Sequence, residues 1–202
     1  MKLYGAPMPA PNPRRVRMFL AEKGVDLPEI AVNLRAREHK SPEIKAKNSV
    51  GQVPFLELDD GQVIAESISI CRYLESQHPE PPLFGKGALQ QAQVDMWVRR
   101  VEFQLMRPIG MFWIHAHALT AGPHQHKDFG ESNRALAANA MRWLDGELEG
   151  KAFIAGEAFT VADIAALSSI DFAAWIGLGI PEGCANLQAW HARVSARPSA
   201  AA

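Results

Sequence analysis

The sequence predicts a small α/β domain followed by an all-helical one, and three observations carry that prediction. Short apolar runs alternate with helix-patterned stretches as far as Leu74, a proline-rich break follows, and beyond it apolar residues recur at three- and four-residue steps. The 202 residues give each part enough chain to bury a core. The division read from these signals is residues 1–78, a linker at 79–87, and residues 88–202.

In the first part the runs are Lys2-Leu3-Tyr4, Val16 to Lys23, Glu29 to Leu34, Phe55 to Leu58, Val63-Ile64 and Ile68 to Leu74. Asp59-Asp60-Gly61 lies between two of them, and Asp-Gly between apolar runs is a hairpin signal, so those strands are expected to be antiparallel. Asn12 is expected to cap the first helix, with Pro13 as its first residue. His78-Pro79-Glu80-Pro81-Pro82 cannot continue a helix, because its prolines lack the N–H a helix needs. From Leu89 to about Leu119, Val94, Val98, Val101, Leu105, Ile109 and Phe112 mark one stripe of a long helix, which Pro108 should kink. Leu136, Ala140, Trp143 and Leu148 mark a second helix ending near Gly150. Val161 to Trp175 is apolar nearly all round, the pattern of a buried helix, and the tail Ala200-Ala201-Ala202 is expected to fray.

Composition excludes several classes of partner. Lysine and arginine number 21 against 22 aspartates and glutamates, so no net field draws the chain to nucleic acid or to an anionic membrane. Cys71 and Cys184 form neither a CxxC pair nor a zinc spacing, which suits a reducing, cytoplasmic setting. The start MKLYGAPMPAP lacks a hydrophobic signal core, and no apolar run approaches the roughly 20 residues that span a bilayer. His115, His117, His124 and His126 invite a metal reading, but two positions two apart on a helix point about 200° away from each other, and no metal is expected.

Four segments carry chemistry or its alternatives. Thr160-Val161-Ala162-Asp163 reads as a capping box that serves stability. Gly51-Gln52-Val53-Pro54 sets a proline at a strand entrance; trans is the default isomer, whereas a cis bond would turn the Val53 N–H and C=O outward, where an extended peptide can pair with them. Ala65-Glu66-Ser67-Ile68 passes from strand to helix, so Ser67 stands at a positive helix end suited to a carboxylate, with Glu66 beside it for an ammonium group; plain capping is the alternative. Asn12 stands where a helix dipole lowers the pKa of a bound thiol, and its carboxamide can donate to the thiolate but cannot act as a base.

In this order, the Val53-Pro54 turn, the Glu66-Ser67 pair a hairpin later and the Phe159 to Asp163 box resemble the cytosolic glutathione transferases over essentially the whole chain. The resemblance implies a thioredoxin-like N-terminal domain, an all-α C-terminal domain, a cis Val53-Pro54 bond, and glutathione as co-substrate with no other cofactor. It assigns the cysteinyl part to the backbone of Val53 beside Pro54, the γ-glutamyl part to Glu66 and Ser67, and the glycine end to Gln52, His39 or Lys40; the spacing of His39 to Val53 is theta-like. Many members place a serine, tyrosine or cysteine after the first strand, and here Ala10 stands in that place. Ala10-Pro11-Asn12 looks more like the Thr-Pro-Asn of nu-class bacterial members, which makes Asn12 the catalytic candidate. With no cysteine near this loop, a cysteine mechanism is excluded.

The same resemblance places an electrophile pocket between the domains, with Pro7, Met8, Met106, Trp113 and His117 as candidates for its wall. The activity it implies is attack of glutathione thiolate on a small hydrophobic electrophile, by a homodimer. Disulfide reduction of the nu-like type and a non-catalytic glutathione-binding module are the alternatives.

Overall fold

A four-stranded mixed sheet in the order β2-β1-β3-β4 organises the first part of the computed structural model, which describes residues 1–202. The strands are β1 (Lys2–Gly5), β2 (Glu29–Ala31), β3 (Phe55–Glu57) and β4 (Val63–Ala65). Helix α1 (Pro11–Lys23) is the crossover that makes β2 parallel to β1, while β3 runs antiparallel to both β1 and β4. The expected hairpin is present: Gly61, with φ of 83°, closes it by donating its N–H to the Leu58 carbonyl at 3.0 Å. Leu3, Val16, Phe19, Phe55, Leu56, Ile70 and Leu74 fill the core, where α1 packs against α3 (Ser67–Gln77).

Helix α2 (Pro42–Lys47) is tied to the sheet by charge. Tyr4 Oη donates to Glu57 Oε2 at 2.8 Å, Lys47 pairs with Glu57, and the Lys47 ammonium lies 5.6 Å from the Tyr4 ring centre. Hydrogen bonds first from Lys47 and then from Tyr4 hold the Glu57 carboxyl below its ordinary value. A carboxyl lowered in the folded state contributes stability above its unfolded pKa, near 4.3 for a glutamate, and loses it as pH falls through the folded value. The difference in Tm between the wild type and Glu57→Gln should therefore narrow as pH drops below about 4, in a series of thermal melts. A difference that stays constant into acid would remove the carboxylate charge from this tie.

The chain packs as two compact units, Met1–Leu83 together with Pro198–Ala202, and Phe84–Arg197. The expectation of a frayed tail is corrected: Pro198–Ala201 forms a 3₁₀ turn against α1. Arg14, buried on α1, donates through Nη2 to the Ala200 carbonyl at 2.8 Å, and the Ser199 hydroxyl donates to Glu22. A buried guanidinium needs acceptors, and the tail's backbone supplies one, which alanine content alone does not reveal. In the stretch 79–87, read as a linker, Leu83 and Phe84 are buried, and Lys23 holds both Glu75, at 2.5 Å, and the Pro81 carbonyl.

The second unit is helical: α4 (Gly87–Arg100), a π-helical turn at Val101–Met106, α5 (Arg107–His115), α6 (Lys127–Glu147), α7 (Val161–Trp175) and α8 (Ala185–Ser195). All six residues of the stripe from Val94 to Phe112 are buried. Pro108 is the second residue of α5; it lacks an N–H and crowds the carbonyl four residues back, and the wide π turn before it accommodates both. The helix stops at His115 rather than near Leu119, and α6 crosses there so closely that a Cβ on Gly130 would lie 2.7 Å from that of Ala116. On α6 the buried face is Ala137, Ala140, Met141 and Leu144, so Leu136, expected inside, is exposed. The sequence reading assigns no helix to α8, whose inner stripe is Leu187, Trp190 and Val194.

The capping box of α7 is formed as expected, with the Thr160 hydroxyl accepting from the Ala162 N–H at 3.3 Å and Asp163 accepting from the Thr160 N–H at 2.9 Å. No helix is long and apolar enough to cross a membrane.

Candidate functional site

The end of β1, the start of β3 and the end of β4 lie at one end of the sheet. Continuing the β3–β4 register two residues past Phe55↔Ala65 sets Val53 level with Ser67. Continuing the β1–β3 register past Tyr4↔Phe55 sets Val53 level with Ala6, from which the chain runs into α1. The candidate residues of the first unit thus gather where β1 hands over to α1, the edge at which open α/β sheets bind ligands.

The Val53-Pro54 bond is cis, the isomer the resemblance implies. Neither the N–H nor the C=O of half-buried Val53 has a hydrogen-bond partner within the chain. Side chains fix the loop before it: Asn48 Nδ2 donates to the Gln52 carbonyl at 2.9 Å, and Lys40 Nζ donates to the carbonyls of Gly51 at 2.7 Å and Val50 at 3.2 Å. Gly51 has φ of 61°, and a Cβ there would stand 2.8 Å from the His39 carbonyl oxygen, so only glycine lets the 38–40 turn approach.

That approach sets His39 and Lys40 beside Gly51, the residue before Gln52. Lys40 has spent two of its three N–H donors on the loop and keeps one. Burial, followed by the nearby charges of Lys40 and Arg37, holds the His39 imidazole below its ordinary pKa, and its Nδ1 has no partner. A neutral His39 offers a hydrogen bond, and Lys40 offers the charge.

At β4 the chain turns through Glu66, whose φ of 68° is rare outside glycine, into α3. The Glu66 side chain is exposed without an intrachain partner, whereas Ser67 is buried. The start of α1 differs from expectation. The helix begins at Pro11 with Ala10 as N-cap, so Asn12 is its second residue, and no side chain caps it. Proline suits the first helical position, and Pro13 also falls in the first turn, where no N–H is required; the first helical bond runs from the Arg14 N–H to the Ala10 carbonyl at 3.4 Å. Flanked by two prolines, Asn12 supplies the one unpaired backbone N–H of that turn, and its half-buried carboxamide has no intrachain partner either.

Pro7 and Met8 are exposed in the loop between β1 and α1. In the second unit Met106 closes the π turn, and the rings of Trp113 and His117 lie 4.7 Å apart. Phe172 and Trp175 of α7 join them, each 5.5 Å from Trp113. Sequence reasoning missed those two because α7 reads as buried all round, whereas Trp175 is 47% exposed. His115 faces His126 and Phe129 instead, at 5.6 and 5.3 Å. Cys71 is fully buried, and loss of hydration pushes its thiol far up, so it is no nucleophile.

Two family models match the chain. The N-terminal-domain model of glutathione S-transferase matches residues 10–77, and the C-terminal-domain model matches residues 109–198. Glutathione S-transferase 2 of Saccharomyces cerevisiae is 38% identical over 205 residues, spanning 98% of this chain and 87% of its own length. The chain belongs to the glutathione S-transferase family. Among solved glutathione S-transferases, Gtt2 from Saccharomyces cerevisiae superposes with a TM-score of 0.93 at 38% identity, over 98% of both chains. Human glutathione S-transferase theta-2 is 30% identical over 186 residues, covering 91% of this chain and 76% of its own. The first unit is thus the thioredoxin-like N-terminal domain, and the second the all-helical C-terminal domain, of a glutathione S-transferase, an enzyme family whose co-substrate is glutathione.

Proposed function

We propose that glutathione lies across the sheet end, its sulfur at the start of α1, and that Asn12 stabilises the thiolate for attack on a small hydrophobic electrophile. The observation that carries this reading is Val53, whose unpaired N–H and C=O stand level with Ser67. Two backbone bonds to Val53 hold the cysteinyl residue as an added strand would. Ser67 and the α3 terminus take the γ-glutamyl carboxylate, Glu66 takes its ammonium group, and Lys40, His39 and Gln52 take the glycine end. In the second unit Met106, Trp113 and His117 are the candidates for apolar contacts to the electrophile.

The energetics suffice. Lowering a thiol pKa from about 9 to about 7 takes roughly 2.7 kcal/mol. A charge-assisted hydrogen bond gives about 1.5–3 kcal/mol and a helix terminus below about 1 kcal/mol. The sulfur then forms a bond to carbon while the leaving group departs with its electron pair.

Retention on immobilised glutathione, paired with conjugation of chlorodinitrobenzene, tests the proposal. Retention with turnover supports it. Retention without turnover of any electrophile indicates a binding module, and disulfide reduction exceeding conjugation indicates the nu-like chemistry. No retention overturns the assignment.

The enzyme is further proposed to be a homodimer. Leu89, Ala92, Met96 and Phe103 are exposed along α4 and the π turn at steps of three, four and seven, the spacing of a helix–helix seam. A second copy presents the same stripe about a two-fold axis and covers it. Phe103→Glu should shift sedimentation from dimer to monomer; an unshifted dimer would place the interface elsewhere.

A further inference from the structure

Hydrogen bonds fix His117 through both its backbone and its ring. Its carbonyl accepts from the Thr120 N–H at 3.2 Å, the Thr120 hydroxyl at 2.9 Å and Gln125 Nε2 at 3.0 Å. Its Nδ1 accepts the Leu119 N–H at 3.2 Å and so caps the short turn Ala118–Thr120. With Nδ1 acting as acceptor, the neutral imidazole carries its proton on Nε2. That N–H has no partner within the chain.

The ring lies among aromatic neighbours, 4.7 Å from Trp113 and 6.3 Å from Trp175, to which it is tilted by only 26°. Phe172 stacks on Trp175 at 6.0 Å. The indole N–H groups of Trp113 and Trp175 are also unpartnered within the chain. The four side chains therefore offer aromatic faces and three N–H donors, and with Nδ1 occupied none of them offers an acceptor. A flat ligand without an acceptor displaces water and leaves these donors unpaired, whereas one that brings an oxygen satisfies them.

We infer that His117 selects among electrophiles: the rings hold a planar molecule, and the His117 Nε2–H donates to an oxygen conjugated with the carbon under attack. As the sulfur bonds to that carbon, a π-electron pair moves onto the oxygen, where the N–H stabilises it. In chlorodinitrobenzene the pair then returns and chloride departs with its bonding electrons, so His117 exchanges no proton. The inference rests on the reading, proposed above, that these side chains contact the electrophile.

Steady-state kinetics at saturating glutathione test it with chlorodinitrobenzene, which carries nitro oxygens, and benzyl chloride, which has the ring but no oxygen. His117→Asn keeps an acceptor for the Leu119 N–H but does not reach the Nε2 position. In that variant the ratio of kcat/KM for chlorodinitrobenzene to that for benzyl chloride should fall about 10–100-fold, the loss of one donor to developing charge. His117→Gln sets an amide N–H near the Nε2 position and should keep the ratio within about threefold of the wild type. Loss of the ring or a general loosening slows both electrophiles alike and leaves the ratio unchanged, so a folded asparagine variant with the wild-type ratio overturns the role of His117. A ratio that falls equally in the glutamine variant overturns it as well, because the donor is then not the cause. A wild type that conjugates benzyl chloride but not chlorodinitrobenzene overturns the oxygen contact and leaves the proposed function standing. A wild type that conjugates neither overturns the proposed function itself.

Discussion

Asp163→Ala is expected to destabilise the protein by about 3–5 kcal/mol, the cost of leaving buried partners of a lost charge unsatisfied. Asp163 is fully buried and accepts from four donors: the N–H groups of Ile154 and Thr160 and Nε1 of Trp190, each at 2.9 Å, and Thr160 Oγ1 at 3.2 Å. Burial pushes this carboxyl up, and the four donors work against that shift. One side chain thus joins the loop at Ile154, the cap of α7 and the inner face of α8, and alanine strips all three at once while opening a cavity. Asp163→Asn keeps the shape but turns an amide N–H₂ toward one of the donors, and should cost less than alanine. Denaturant unfolding checks both, and a loss below about 1 kcal/mol for alanine would mean that water replaces the carboxylate.

Asn12→Ala is expected to lower turnover by about 10–100-fold while changing glutathione affinity by less than about threefold. The magnitude follows from the first turn of α1. Pro11 and Pro13 carry no N–H, so a thiolate in the proposed position would meet one backbone donor, that of Asn12, with the carboxamide as the second. Removing the carboxamide should also move the alkaline-rising limb of the pH profile upward by about one to two units, since less thiolate is present at neutral pH. Unchanged turnover together with an unmoved profile would remove Asn12 from the mechanism.

Much of the architecture is local and therefore legible in the sequence. Asp60-Gly61 specifies a hairpin within a few residues, Thr160 and Asp163 close a box over three, and the Val94 to Phe112 stripe repeats within one helical run. The start of α1 is misread because Asn12 and Ala10 are both compatible with a cap before a proline, and only the bond from Arg14 to Ala10 decides between them. Leu136 is misread because a stripe fixes the spacing of a buried face but not which of two adjacent residues points inward. Phe172 and Trp175 join Trp113 through tertiary packing, and Arg15 meets Ser67 across 52 positions; no window of sequence contains either pairing.

The return of Pro198–Ala202 to the sheet-bearing unit imposes an order on biosynthesis. The carbonyl that receives Arg14 is translated 186 positions later, after the entire helical unit. A nascent chain emerging from the ribosome therefore carries its first unit without the tail carbonyl that Arg14 bonds in the finished fold, and vectorial folding completes the earliest-made part last.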